Sequence, residues 1–329
     1  MRLTFLGSLL GAAAVALIAT MPAPTSAQSS GPITLRAVLP FTPNYAFSNN
    51  FFIFQKLANE KLKGKLNVSY IGGAEVVPAF EQFEAVRDGA VDMSMAVGAY
   101  YRGQVPEAAA PLGARKSPPE LRANGFLELM REVHKKQGVH LLAYIGGTKG
   151  DAYRLYSNVK ITKADLTGVK MRVSPTYIPL VKALGGTAVN MAPGEVYTAL
   201  ERKVVDGFGW TYLGIGDYGM DEVTKYVIDH PFYSTDVYVL VNLKKWESLP
   251  ADIRATLEEV GIQAEKDAIK YITESNAKED KALKRKGIEF IKLPPDEEKK
   301  FLAAAYDAHW ADIIGKSPQI GPKLKALAE

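Results

Sequence analysis

From residue 31 onward the chain alternates two hydrophobic rhythms. Short runs rich in β-branched and aliphatic residues, Ile33 to Leu39, Leu66 to Ile71, Val91 to Val97 and Val139 to Ile145, have the length and composition of strands. Between them, Phe51 to Leu62, Val76 to Arg87 and Pro118 to Lys136 carry apolar residues at helical spacing. Strand and helix in strict alternation predict an α/β sheet. Gly72-Gly73 closes the second strand, and Gly146-Gly147 with the charged turn after it predicts a crossing into a second lobe.

The rhythm then repeats. Val169 to Val173 is strand-like, Ser174-Pro175 offers an N-cap with proline at the first helical position, and that helix stops at Gly185-Gly186. Thr187 to Met191 and Val204 to Trp210 are predicted strands, with a helix starting at Pro193 between them. Phe232 to Val241 reads as one long strand returning to the first lobe. Pro250 to about Lys286 is one extended helical pattern, long enough to run along two lobes. Ile288 to Leu293 and Pro295 to Ile314 close the pattern as strand and helix. A chain of 329 residues suits two lobes better than one core. We expect lobe I to comprise 28–152 with about 236–270, and lobe II 153–235 with about 271–329. Crossing strands are expected near 146–156 and 230–242.

Residues 1 to 27 break this pattern. Arg2 precedes an apolar run from Leu3 to about Met21, and small residues at Thr25 and Ala27 follow. That is the layout of a cleaved secretory signal peptide, so a periplasmic destination is expected. No later apolar run reaches spanning length. Absence of cysteine excludes disulfides, thiolate metal sites and a cysteine nucleophile. The net charge of +4 is too small for a nucleic-acid footprint, and the basic cluster Lys281 to Lys286 reads as a solvated helix face.

Signals for an enzyme are weak. Gly214-Ile215-Gly216-Asp217-Tyr218-Gly219 matches G-x-G-x-x-G after a strand, but Pro231 leaves little room for the helix that a dinucleotide site needs. A glycine-rich loop beside a cleft fits better. His134, His140, His230 and His309 lack metal-ligand spacing, and no G-x-S-x-G elbow occurs. No catalytic residue, cofactor or metal is assigned.

Arg172 is the most informative residue. It ends a predicted strand just before a helix start, and open α/β sheets bind ligands outside the carboxyl ends of their strands. A guanidinium there pairs bidentately with a carboxylate. The competing account is an ion pair with a protein carboxylate such as Glu195. As a cleft group, Arg172 is expected to be removable without harm to the fold.

Three stretches carry a resemblance: "YIGGAEVVPAFEQFEAVRDGAVDMSMA" (Tyr70 to Ala96), "DLTGVKMR" (Asp165 to Arg172) and "LGGTAVNMAPGEVYTALERKVVDG" (Leu184 to Gly207). In order and spacing, over nearly all of the chain after residue 27, they resemble the substrate-binding proteins of TRAP (tripartite ATP-independent periplasmic) transporters. The resemblance implies a two-lobed periplasmic binding protein fold that closes on an organic acid and delivers it to TRAP membrane subunits. It implies that Arg172 is the carboxylate clamp. The chain departs from the family pattern in three places. Pro193 stands only two positions before Glu195. Gly209 takes the place of an acid that many members carry after V-D-G, which removes a hydroxyl acceptor or metal ligand. A second family arginine corresponds to Arg154 or, one residue away, to Tyr153.

Aromatic residues gather where the strand ends should face each other: Tyr45, Phe47, Tyr100, Tyr101, Tyr153, Tyr177, Phe208, Trp210 and Tyr212. With Arg172 and no acid at 209, they predict a carboxylate with an apolar or aromatic body, ahead of a sugar acid. The candidate binding set is Arg172, Arg154, Trp210, Phe208, Tyr153, Tyr177, Tyr101, Tyr45, Asn190, Glu75 and Tyr212.

Overall fold

The structure is a computed structural model that describes residues 31–147 and 152–329. The expected signal peptide and the charged turn at 148–151 lie outside the described residues. In chain order the first elements are β1 (Ile33–Val38), α1 (Ser48–Lys61), β2 (Leu66–Gly72), α2 (Gln82–Arg87) and β3 (Met93–Val97). Two 3-10 stretches follow, Gly98–Tyr101 and Pro106–Gly113, then α3 (Pro118–Ala123), α4 (Phe126–Lys136) and β4 (Val139–Tyr144). The chain continues through β5 (Tyr153–Ser157), β6 (Lys170–Val173), α5 (Ile178–Ala183), β7 (Thr187–Asn190), α6 (Val196–Glu201), β8 (Gly207–Thr211) and β9 (Tyr226–Phe232). It ends with β10 (Val237–Asn242), α7 (Leu243–Ser248), α8 (Ala251–Arg285), β11 (Glu289–Ile291), α9 (Pro295–Lys316) and α10 (Gly321–Ala328).

Two sheets result. The first has the order β2-β1-β3-β10-β4, and the second β11-β9-β5-β8-β6-β7. In the first, β1 runs parallel to β2 and β3, and β10 is antiparallel to β3 and β4. In the second, β6 is parallel to β7 and β8, and β5 is antiparallel to β8 and β9. The chain crosses between sheets after β4 and again between β9 and β10. A third passage is α8, whose 35 residues span about 52 Å at 1.5 Å per residue. It packs on α1 and β4, and its far end lies beside the loop that follows β8. Asp252 in its first turn and Lys284 with Arg285 in its last turn complement the helix dipole.

Several sequence expectations change in detail. The single strand expected over Phe232 to Val241 is broken: Phe232 ends β9 in one sheet and Val237 begins β10 in the other. The break turns at Tyr233, whose φ of 56° is left-handed, a conformation costly for a non-glycine residue. It is held there because the Tyr233 hydroxyl donates to the Ala305 carbonyl (2.9 Å) and its N–H donates to the Tyr306 hydroxyl (3.1 Å). The helix expected over 118–136 divides at Gly125, whose φ of 89° suits only glycine. The helix expected from Pro175 begins instead at Ile178, and residues 174–177 form a turn closed by Tyr177 N–H to the Ser174 carbonyl. The strand β5 overlaps the crossing expected near 146–156, whereas the short helices α7 and α10 match no sequence expectation.

Candidate ligand-binding site

A cavity lies between the carboxyl ends of strands from both sheets. Phe41, Tyr45 and Phe47 come from the segment after β1, and Val97 and Tyr100 from the end of β3 and the turn beyond it. From the second sheet come Tyr153 on β5, Arg172 on β6, Ser174, Thr176 and Tyr177 in the turn after β6, and Trp210 and Thr211 at the end of β8. Val237, at the start of β10, completes the wall. The late start of α5 is what turns Ser174 and Thr176 onto the cavity. The open space is about 30 Å³, room for one or two waters.

Arg172 is 1% exposed, one of the largest fully buried side chains. Its Nε and Nη2 donate to the Met191 carbonyl (3.2 and 2.8 Å), and Nη1 reaches the Gly209 carbonyl at 3.4 Å. The guanidinium also lies 5.1 Å from the Trp210 ring centre, within cation–π range. No carboxylate among the described residues is paired with it. Glu195 is exposed and accepts the Ala192 N–H (2.8 Å), so the ion pair weighed from sequence is not made. Burial lowers the Arg172 pKa, opposed by the fields of Tyr100, Tyr177, Tyr45 and Glu195. Guanidinium stays charged under such pressure. A buried cation with no carboxylate beside it among the described residues is costly. Its burial also corrects the expectation that truncation spares the fold, because Arg172→Ala would empty core volume.

The surrounding tyrosines are held neutral. Burial pushes the phenols of Tyr45, Tyr100, Tyr153 and Tyr177 upward, while the Arg172 charge opposes this at Tyr100 and Tyr177. They remain hydrogen-bonding groups rather than anions. The Tyr45 and Thr211 hydroxyls are bonded to each other at 2.6 Å. Tyr153 and Tyr177 meet edge to face with centroids 5.5 Å apart, as do Tyr45 and Trp210 at 5.8 Å. The buried indole N–H of Trp210 has no acceptor among the described residues, an orphan donor in the wall.

Gly209 explains the missing acid. A Cβ there would sit 2.6 Å from the ring of Tyr177, so this ring occupies the room a side chain needs. Gly209→Ala is expected to cost about 1–3 kcal/mol by overpacking, read as a lower melting temperature. A melting temperature equal to the parent's would mean that the ring yields freely.

Five candidates from the sequence therefore line the cavity: Arg172, Trp210, Tyr153, Tyr177 and Tyr45. The other six lie elsewhere. Arg154 stacks its guanidinium over Tyr212 (4.8 Å) and donates to the Tyr153 carbonyl (3.1 Å). Phe208 is buried against Tyr156, with rings 4.9 Å apart. Tyr101 stacks on Phe83 (4.2 Å) and shares a hydrogen bond with His134 Nε2 (2.8 Å). Asn190 is exposed at the end of β7, and exposed Glu75 accepts the Gly73 N–H (2.6 Å). Sequence reasoning left out of the candidate set Phe41, Phe47, Val97, Tyr100, Ser174, Thr176, Thr211 and Val237. Phe47 and Tyr100 had an aromatic signal; a serine or threonine after a strand carries none.

Residues 42–314 match the family profile described as bacterial extracellular solute-binding protein, family 7. An uncharacterized protein of Haemophilus influenzae is 34% identical over 128 residues, which is 38% of this chain and 38% of that protein. The C4-dicarboxylate-binding periplasmic protein DctP of Rhodobacter capsulatus is 27% identical over 327 residues, covering 94% of this chain and 91% of that one. A TRAP periplasmic solute binding protein from Desulfovibrio salexigens, solved with bound orotic acid, superposes with a TM-score of 0.81 at 21% identity, over 90% of this chain and 97% of that one. That likeness establishes the two-lobed fold. The chain belongs to the family 7 bacterial extracellular solute-binding proteins, the substrate-binding proteins of TRAP transporters.

Proposed function

We propose that this chain is the periplasmic receptor of a TRAP transporter, exported through a cleaved signal peptide, and that it captures an organic acid for the membrane subunits. Arg172 clamps the carboxylate. The observation that carries this reading is a fully buried guanidinium, bonded only to main-chain carbonyls, in the wall of the cavity between the sheets. The two lobes, built on the two sheets, hinge at the crossings after β4 and between β9 and β10.

Arg172 is the sole charged side chain among the described residues that line the cavity, and aromatic rings form most of the remainder. This supports a ligand with one carboxylate and an apolar or aromatic body, as in the orotic acid of the Desulfovibrio neighbour. A C4-dicarboxylate, named for the Rhodobacter relative, brings a second charge that no described lining residue answers. Ser174, Thr176 and the Trp210 N–H favour polar atoms on the body, so a sugar acid is the second reading.

A thermal-shift panel of benzoate, orotate, succinate and D-glucuronate separates these readings. A ligand at 100 times its dissociation constant adds about 2.7 kcal/mol of stability. Benzoate or orotate is expected to raise the melting temperature most, with the matching amide inert. A protein indifferent to every acid in the panel, at concentrations up to 10 mM or so where even weak sites fill, would overturn the receptor reading.

A further inference from the structure

The glycine-rich stretch Gly214–Gly219, which the binding of an acid leaves unexplained, touches the opposite half of the molecule. Asp217 Oδ2 accepts the Ala46 N–H at 2.7 Å, and the Tyr218 hydroxyl accepts the Thr42 N–H at 3.2 Å. These donors belong to the segment after β1 that carries Phe41, Tyr45 and Phe47, one wall of the cavity. The Tyr218 ring packs edge to face on Tyr45 (5.4 Å) and on Trp210 (5.5 Å). Neither Asp217 nor Tyr218 lines the cavity itself.

The glycines make this contact fit. Gly214 has φ of +87°, and a Cβ there would stand 2.5 Å from the Tyr45 ring and 2.9 Å from Asp217 Oδ2. Only glycine lets the ring seat on the loop while Asp217 keeps its aim. Behind, the loop is fastened to the long helix and its end. Glu279 on the helix, its pKa raised by burial, stands near the main-chain N–H groups of Gly214 and Gly216, which oppose that rise, and Lys286 Nζ pairs with Asp221 at 2.5 Å. The same helix packs on α1 and β4 of the other sheet. A stiffly mounted loop thus presents one carboxylate and one hydroxyl to two main-chain donors across the cleft. When the halves part to admit a ligand, these bonds are exchanged for water, and closure restores them.

We propose that Asp217 and Tyr218 form the closing latch of the receptor, positioning residues that hold the aromatic wall over a bound acid and set how long it stays. The inference rests on the receptor reading given above. Because these bonds break when the halves part and re-form over a bound ligand, their loss speeds dissociation and does not slow association.

The chain has no cysteine, so Lys56→Cys on α1 with Val204→Cys ahead of β8 supplies two unique dye sites, one on each half. Distance distributions are recorded for the parent, for Asp217→Ala with Tyr218→Phe, and for Asp217→Asn, which keeps an acceptor oxygen. Stopped-flow binding uses benzoate, orotate, succinate and D-glucuronate. Loss of both bonds is expected to raise the dissociation rate about tenfold or more and to leave association unchanged or faster. The closed fraction should fall, the ligand-free melting temperature should hold, and Asp217→Asn should recover most of the slow release. Unchanged dissociation and unchanged distances overturn the latch, as does weaker binding that arises from slower association or tracks a lower melting temperature. If no acid binds the parent, the receptor reading fails on its own. The dye distances then decide the latch: identical distributions for parent and double variant overturn it, and a shift to longer distances in the variant supports it.

Discussion

Arg172→Met is expected to abolish carboxylate binding and to leave the ligand-free protein as stable as the parent, or more so. The two effects have opposite signs because they come from one charge. The guanidinium, at 1% exposure, is desolvated with only carbonyl oxygens and an aromatic face as its contacts among the described residues. Replacing buried ionic groups by apolar ones of similar volume is commonly neutral or stabilising by about 1–4 kcal/mol. Methionine fills most of the space and adapts to its walls, which alanine would not. The carbonyls of Met191 and Gly209 lose their donor, which offsets part of the gain. Binding responds otherwise, because the carboxylate meets no other charge in the described wall. Truncating one partner of a buried charge pair costs about 2–5 kcal/mol, roughly 30-fold to several thousand-fold in affinity. Arg172→Lys should recover only part, since an ammonium lacks the planar fork. Calorimetric titration with the best acid of the panel, beside chemical denaturation of the free protein, reads both signs. Parent-like affinity in Arg172→Met would remove the clamp from this residue.

Asp236→Asn is expected to stabilise the protein at pH 8 and to change little at pH 4. Asp236 stands at the second crossing, fully buried, just before Val237 enters the cavity wall. Its Oδ2 accepts the Ala99 N–H at 2.5 Å, while Oδ1 has no donor among the described residues. Burial raises its pKa to about 7, against the lowering effect of the Ala99 and own N–H groups and of Arg102. Below about pH 4 the carboxyl is protonated in both the folded and the unfolded chain, so it contributes no difference. Between about 4 and 7 only the folded chain keeps the proton, and stability falls as pH rises through that window. Above 7 the loss is complete and constant. A rise from 3.8 to about 7 is some three units, on the order of 4 kcal/mol. Asparagine cannot ionise, so the variant should show a flatter profile and a gap over the parent that opens between pH 4 and 7. Denaturation midpoints at pH 4, 6 and 8 measure it, and parallel profiles would refute the assignment.

Much of this was legible in the residues because it depends on neighbours in sequence. The strand-helix alternation, the long helix after Pro250 and the position of Arg172 at a strand end follow from local spacing. So does the absence of an acid at Gly209. Pairing between distant segments decided the remainder. Tyr100 and Tyr101 are adjacent and equally aromatic, yet the 3-10 turn after β3 sends Tyr100 to the cavity and Tyr101 back onto Phe83 and His134. Phe208 and Trp210 share a strand, but only Trp210 reaches its open end, because β5 sets Tyr156 against Phe208. The break at Tyr233 is invisible in a run of strand-forming residues, since the left-handed turn is enforced by Ala305 and Tyr306, some seventy positions away. Whether Arg172 meets Glu195 or a ligand also lay beyond local reading: Glu195 turns back to its own helix start, which leaves the buried cation to whatever anion enters the cleft.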